Sequence, residues 1–297
     1  MTSLKEVRSR IASIQSTRKV TSAMKMVAAS RLRSVQNHIL YLRQYEKVLR
    51  TILDDMMLVM PAETYNFFMK SRQSREVLLV CIGSNRGLCG AYNALVIKRT
   101  LQEIEKYEND GFRVKLMVVG NKLLNFFKKR DYALIASDGE GIDRLSQEKA
   151  AGFASKIKDL YLKEHTASVV VIYHRFRNAA VHDIFAEKVL PVSLDNISEV
   201  KARSVSESGQ HERLILEPSS EQVLDHMVSQ FVHYQCFRLL LDAAASEHGS
   251  RMTAMHKATD NADDLLKDLS LTYNKVRQSN ITRELLDIIG GANNGLT

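Results

Sequence analysis

Residues 223–276 read VLDHMVSQFVHYQCFRLLLDAAASEHGSRMTAMHKATDNADDLLKDLSLTYNKV. Counting alternately four and three residues from Val223 gives Met227, Gln230, Tyr234, Phe237, Leu241, Ala244, His248, Arg251, Met255, Ala258, Ala262, Leu265, Leu269, Thr272 and Val276, most of them apolar or small. A heptad repeat sustained this far predicts a left-handed coiled coil rather than a globular helix. At about 1.5 Å rise per residue its seam spans roughly 80 Å. Ser219 followed by Gln222 supplies a capping box at the start, and Gly290-Gly291 a stop, so the helix is expected over 219–290.

Such a helix needs a partner, and the N-terminus offers one. Ser3 and Glu6 form a second capping box, and Val7, Ile11, Ile14, Val35, Leu42, Tyr45, Leu49, Ile52, Met56 and Val59 recur at helical spacing until Pro61. No Gly or Pro interrupts residues 1–60, which predicts one long helix. Residues 1–60 carry 11 Lys/Arg against 4 Asp/Glu, whereas 219–297 carry 7 against 10, so the two helices attract. The expected fold is a long antiparallel helical coiled coil, N-terminal helix against C-terminal helix, projecting from a domain inserted between them.

That domain is read at 76–195. Residues 77–83, 113–120, 133–137 and 167–176 are short β-branched runs, separated by helical stretches at 91–109, 121–130 and 146–164. Continuous apolar strands alternating with helices predict a doubly wound parallel sheet buried on both faces. Residues 196–217 are polar, and Ser208-Gly209 could turn a hairpin in that connection.

Composition and motifs exclude more than they offer. The three cysteines, Cys81, Cys89 and Cys236, form no CxxC pair, which argues against a disulfide frame or zinc site. The start MTSLKEVRSR has no apolar core and is not a secretory signal, and no apolar run approaches the roughly 18 residues of a membrane span. The loop Gly83-Ser-Asn-Arg-Gly-Leu-Cys-Gly-Ala-Tyr-Asn93 follows a strand and precedes a helix, the position of phosphate-cradling turns. It lacks both the Gly-Lys-Ser/Thr ending and the dinucleotide spacing, and so reads as a structural turn. His226 and His233 stand seven apart, two helical turns, which suits packing better than a metal clamp. No catalytic, cofactor-binding or metal residues are expected.

Net charge is +8, and no acidic residue occurs between Glu6 and Glu46. Such a basic helix could follow a phosphate backbone. No aromatic residue interleaves its charges between Thr2 and Leu40, so it offers no stacking platform for bases. The other reading is a helix facing acidic protein surface, with Thr, Ser, Ala and Met making weak, easily remade contacts. Three classes follow: a mechanical coiled-coil subunit, a nucleic-acid-binding coiled coil, and a nucleotide-dependent enzyme working at Gly83–Gly90.

Four stretches together resemble the gamma-subunit family of F-type ATP synthases: residues 17–30 (TRKVTSAMKMVAAS), 87–93 (GLCGAYN), 251–261 (RMTAMHKATDN) and 281–292 (ITRELLDIIGGA). The resemblance runs in order along the whole chain. It implies a non-catalytic rotor shaft, with the Rossmann-like domain lower down, coupling ion-driven rotation of a membrane c-ring to ATP synthesis and hydrolysis in the beta subunits. The partners it implies are the alpha and beta subunits of the hexamer, the epsilon subunit and the c-subunit ring, with no nucleic acid. The location it implies is peripheral, on the cytoplasmic side of a bacterial plasma membrane. Met24 and Lys25 match the family's shaft segment near the beta-subunit lever, Arg277 and Gln278 the pair that catches a beta-subunit loop. Thr282 and Glu284 belong to the terminal signature. Ile281, Leu285, Leu286, Ile288 and Ile289 would form the apolar shaft tip. Residues 196–211 lack the chloroplast form's cysteine pair, so redox gating of that kind is not expected.

Overall fold

A computed structural model describes residues 3–59, 68–69, 72–139, 141–142, 145–178, 182–192 and 216–294. In chain order the elements are α1 (Leu4–Val59), β1 (Glu76–Ile82), α2 (Tyr92–Asn109), β2 (Arg113–Val119), α3 (Asn121–Phe127), β3 (Leu134–Asp138), α4 (Gln147–Lys163), β4 (Ser168–Phe176), β5 (His182–Leu190) and α5 (Ser220–Asn294). The polar connection at 196–217, with its expected hairpin at Ser208-Gly209, falls almost wholly outside the described residues. The chain divides into two compact units, residues 30–250 and residues 1–29 with 251–297.

Unit 30–250 holds a five-stranded sheet in the order β3-β2-β1-β4-β5. β1 pairs parallel with β2 and with β4, and β2 pairs parallel with β3. β5 runs antiparallel to β4, so the sheet is mixed, not wholly parallel as expected. The reason lies in the connection. Only residues 177–181 separate β4 from β5, too few for the helical crossover that a parallel neighbour requires. The sequence HDIFAEKVL breaks its apolar residues with the charged pair Glu187-Lys188 and lacks the solid apolar run that marked the other four.

Both sheet faces are covered. Val77, Leu79, Cys81 and Val118 pack under Val96 and Ile104 of α2 and Leu123 and Phe127 of α3. The opposite face, with Leu78, Val80, Ile82, Val171 and Tyr173, meets Ile157 and Tyr161 of α4, Val228, Val232 and Leu239 of α5, and Leu49, Leu53 and Met56 of α1. Burying each such side chain contributes about 1.5–3 kcal/mol, which makes this double layer the main source of stability in the unit. α1 and α5 run antiparallel here, with Arg43 against Asp242 and Tyr45 against Tyr234.

In the other unit the same two helices pair antiparallel, Arg18 against Asp263 and Thr21 against Thr259. Both N-terminal caps form as expected in their first half: the Glu6 amide donates to Ser3 Oγ at 3.2 Å and the Gln222 amide to Ser219 Oγ at 3.3 Å. The Glu6 carboxylate does not return the bond but pairs with Arg10 at 2.9 Å.

The heptad count needs one correction. Leu265 is 52% exposed and Thr272 is exposed too, whereas Leu266 and Tyr273 are half-buried. After Ala258 and Ala262 the buried stripe takes a second step of four residues before resuming at Leu269. A straight helix drifts by about 20° per heptad against a strict repeat, and one extra four-residue step resets the phase. The helix also passes through Gly290-Gly291 and continues to Asn294.

Candidate functional site

The glycine loop after β1 is closed on itself. Asn93 is its organiser: its Oδ1 accepts from the Ser84 amide at 3.0 Å, and its Nδ2 donates to Ser84 Oγ at 2.7 Å and Cys89 Sγ at 3.3 Å. Ser84 Oγ in turn donates to the Arg86 carbonyl at 2.8 Å. Gly120, at φ +97°, lets β2 turn close by, since a Cβ there would stand 2.5 Å from the Gly83 carbonyl oxygen.

The sheet order reverses between β1 and β4, and in open α/β sheets that switch point is where ligands usually bind. Here α5 fills it. The Tyr92 hydroxyl donates to the Ala243 carbonyl at 3.2 Å, the Tyr92 ring stacks on His174 at 4.4 Å, and His174 Nε2 donates to the Tyr92 carbonyl at 3.0 Å. Ser246 Oγ donates to the His174 carbonyl at 3.1 Å. The motif that resembles a phosphate turn therefore docks a helix. Sequence reasoning assigned no role to Tyr92 or His174, and the available signal was an aromatic two residues after Gly90.

A second polar cluster joins four elements around Arg238 of α5. Its guanidinium pairs with Glu46 of α1 at 2.6 Å and with Glu187 of β5, and reaches the Tyr173 hydroxyl of β4 at 3.2 Å. The same hydroxyl donates to Glu187 at 2.6 Å, and Arg43 Nη2 donates to Asp242 Oδ1 at 2.8 Å. Burial pushes Glu46 and Asp242 above their ordinary pKa, by more than the neighbouring arginines pull them back. Burial works to lower the Arg238 pKa, but Glu187 and Glu46 outweigh it and hold the guanidinium charged. The thiols are inert in character: burial pushes Cys81 and Cys236 up to about 12. Among the described residues no group of three or more His, Cys, Asp or Glu could hold a metal.

The expected contact residues lie on the paired helices, in two places. Met24 and Lys25 are half-buried on α1, beside Thr21 and flanked by exposed Val20, Met26 and Val27. Thr21 faces Thr259, so these residues lie about 18 residues, roughly 27 Å along α5, from Arg277. With Arg18 opposite Asp263, the first turn of α1 falls opposite about residue 277, and α5 runs on past the described start of α1. Arg277, Gln278 and Glu284 are exposed there, and exposed Thr282 turns its hydroxyl back to the Gln278 carbonyl at 2.9 Å. Ile281, Leu285 and Leu286 are 44%, 54% and 63% exposed. Ile288 and Ile289 are helical in backbone, and their side chains fall outside the described residues. Arg277, Ile281 and Glu284 share one helical face by their spacing of four and three.

Two long helices paired antiparallel within each unit, an α/β domain whose ligand crevice is filled by one of them, and an exposed apolar end of α5 define a scaffold that works through protein contacts. A family model described as ATP synthase matches residues 3–294. The ATP synthase gamma chains of Amoebophilus asiaticus and Christiangramia forsetii are 39% and 38% identical to it over 293 and 292 residues, covering 98% of each chain in both cases. The chain belongs to the ATP synthase gamma chain family. Among solved structures it is similar to a chain of the Euglena gracilis mitochondrial ATP synthase OSCP/F1/c-ring assembly (TM-score 0.66, 19% identity, 98% of this chain and 93% of that one). It is also similar to one of the Tetrahymena thermophila mitochondrial ATP synthase central stalk and c-ring (TM-score 0.58, 23% identity, 80% and 99%). Those two likenesses concern the fold.

Proposed function

We propose that this chain is the central rotor shaft of an F-type ATP synthase, a non-catalytic subunit that couples ion-driven rotation of a c-ring to conformational change in the catalytic beta subunits. The observation that carries the reading is the end of α5, where Ile281, Leu285 and Leu286 stay exposed past the described start of α1, in a chain of the gamma family. An apolar helix end left in water costs free energy unless a partner covers it. A sleeve of alpha and beta subunits would do so.

The polar residues follow from the same reading. Arg277 and Gln278 would catch a beta-subunit loop, with the guanidinium able to hold a carboxylate bidentately. Thr282 and Glu284 continue that face, and Ile288 and Ile289 complete the tip. Met24 and Lys25 would meet a beta-subunit lever pressing on the basic stretch of α1. Rotation then changes which beta subunit meets these side chains, and a partner biased by differential contact changes its nucleotide affinity. The epsilon subunit and the c-ring would engage the unit of residues 30–250. No described helix is long and apolar enough to cross a membrane, and the chain would be held peripherally, on the cytoplasmic side of a bacterial plasma membrane.

Mixing the chain with purified alpha and beta subunits tests the reading. One copy per three beta subunits, with ATPase turnover that depends on its presence, supports it; no stoichiometric complex refutes it. Arg277→Ala should lower turnover while leaving the thermal unfolding of the free chain unchanged, and equal losses of assembly and stability would remove Arg277 from the contact set.

A further inference from the structure

Residues 242–246 of α5 read Asp-Ala-Ala-Ala-Ser, and all five are buried against the domain of residues 30–250. Three consecutive alanines give this stretch almost no ridges. Helices resist turning about their own axis mainly because side-chain ridges lock into grooves of the neighbour. Apolar contact itself is non-directional and holds a smooth cylinder in place without fixing its angle. A helix that must carry twist would be weakest here.

Three directional contacts are concentrated on the same five residues. Arg43 Nη2 grips Asp242 Oδ1 at 2.8 Å and also donates to the Phe176 carbonyl of β4 at 3.3 Å. The Tyr92 hydroxyl, from the first turn of α2, donates to the Ala243 carbonyl at 3.2 Å. Ser246 Oγ donates to the His174 carbonyl of β4 at 3.1 Å. His174 and Tyr92 brace each other by stacking and by the Nε2 bond. With about 100° per residue, positions 242, 246 and 243 fan over about 100° of the helix circumference. Contacts spread over such an arc, held by elements of the sheet domain and by α1, oppose rotation in either sense.

We propose that Tyr92, His174, Ser246 and the Arg43–Asp242 pair form a rotational key, positioning residues that fix the angle of α5 against the α/β domain so that torque applied to the domain turns the helix. The proposal rests on the rotor-shaft reading. It gives the glycine loop its purpose: the turn presents Tyr92 to the smooth part of the shaft helix.

The test uses the whole complex in membrane vesicles, reading ATP hydrolysis and ATP-driven ion uptake together, with a pH-sensitive dye and tracer sodium to cover either ion. Tyr92→Phe removes one oxygen and keeps the ring stack; Tyr92→Phe with Ser246→Ala removes both bonds to α5. The double variant should lower the ratio of ion uptake to ATP hydrolysed about fivefold or more, with ATPase of the soluble alpha–beta–gamma complex unchanged. Val228→Ala, on the apolar face and chosen to match its loss of thermal stability, should leave the ratio at the parent value. The proposal is overturned by an unchanged ratio, by a parallel fall of both activities, or by an equal loss in Val228→Ala. A parent chain that never forms an active complex would instead refute the rotor-shaft reading itself.

Discussion

The hydroxyls of Thr21 and Thr259 lie 2.9 Å apart across the two helices, beside the stripe that Met255, Ala258 and Ala262 form. Arg18 and Asp263 form an ion pair one turn further along. Polar partners flanking a seam favour one register, because a shifted pairing separates them. Thr259→Val removes the bond between the helices, leaves the Thr21 hydroxyl only the Arg18 carbonyl of its own helix at 3.0 Å, and should cost about 1 kcal/mol. Adding Thr21→Val should recover that loss. Urea unfolding of the free chain checks both, and a double variant no more stable than the single would contradict the pairing.

Arg238→Met should be far more damaging. The side chain is mostly buried, and its removal leaves Glu46 and Glu187 facing each other without their common counter-charge. Breaking a buried ion network from one side costs about 3–5 kcal/mol. Chemical denaturation should find the loss in the midpoint, and Arg238→Lys should recover only part of it, since one ammonium cannot span the same acceptors.

The buried carboxylates give stability a definite pH slope. Desolvation raises Glu46 above its ordinary 4.5 and Asp242 above its ordinary 3.8, and Asp54 is raised for the same reason. The folded state therefore holds these protons more tightly than the unfolded state. Their contribution is fully present below the ordinary values and is lost as pH rises through the raised folded values. Unfolding free energies measured in steps upward from pH 4.5 should show this loss in the parent. Glu46→Gln should show a shallower one, and an identical slope would contradict the assignment.

Much of this was legible in the sequence because long periodic signals are hard to mistake. The helices of 56 and 75 residues, the four parallel strands and the two serine caps all carry their own physical marks. What escaped was set by tertiary packing. β5 breaks its apolar residues with charged ones, and nothing in HDIFAEKVL announces its direction. The helix phase at Leu265 and Thr272 depends on one extra four-residue step that counting by rule passes over. On α1 the rule likewise took Tyr45 and Ile52, which are exposed, and missed Leu32, Ile39 and Leu53, which are buried. Tyr92 and Arg238 could not be paired with their partners at all, since Ala243 and Glu187 become neighbours only through the fold.

The cysteines should be silent in the folded chain. Cys81 and Cys236 are fully buried and pushed up to about 12, and Cys89 is buried with its sulfur 3.3 Å from Asn93 Nδ2. A thiol-specific reagent at pH 8 should label none of them natively and all three in denaturant. Rapid native labelling at Cys89 would mean that the glycine loop opens.

The end of α5 separates folding from function most cleanly. Ile281, Leu285 and Leu286 bury little within the chain itself, so Ile281→Ser with Leu285→Ser should change its unfolding free energy by less than about 0.5 kcal/mol. Inside a covering sleeve the same pair would each forfeit about 1.5–3 kcal/mol of burial. Affinity for the alpha–beta hexamer should then fall about 100-fold or more, since every 1.4 kcal/mol is roughly a factor of ten. A dissociation constant measured beside a thermal melt decides the matter. Weakened binding with an intact fold places the tip inside its partners; intact binding would leave the apolar end of α5 without the role assigned to it.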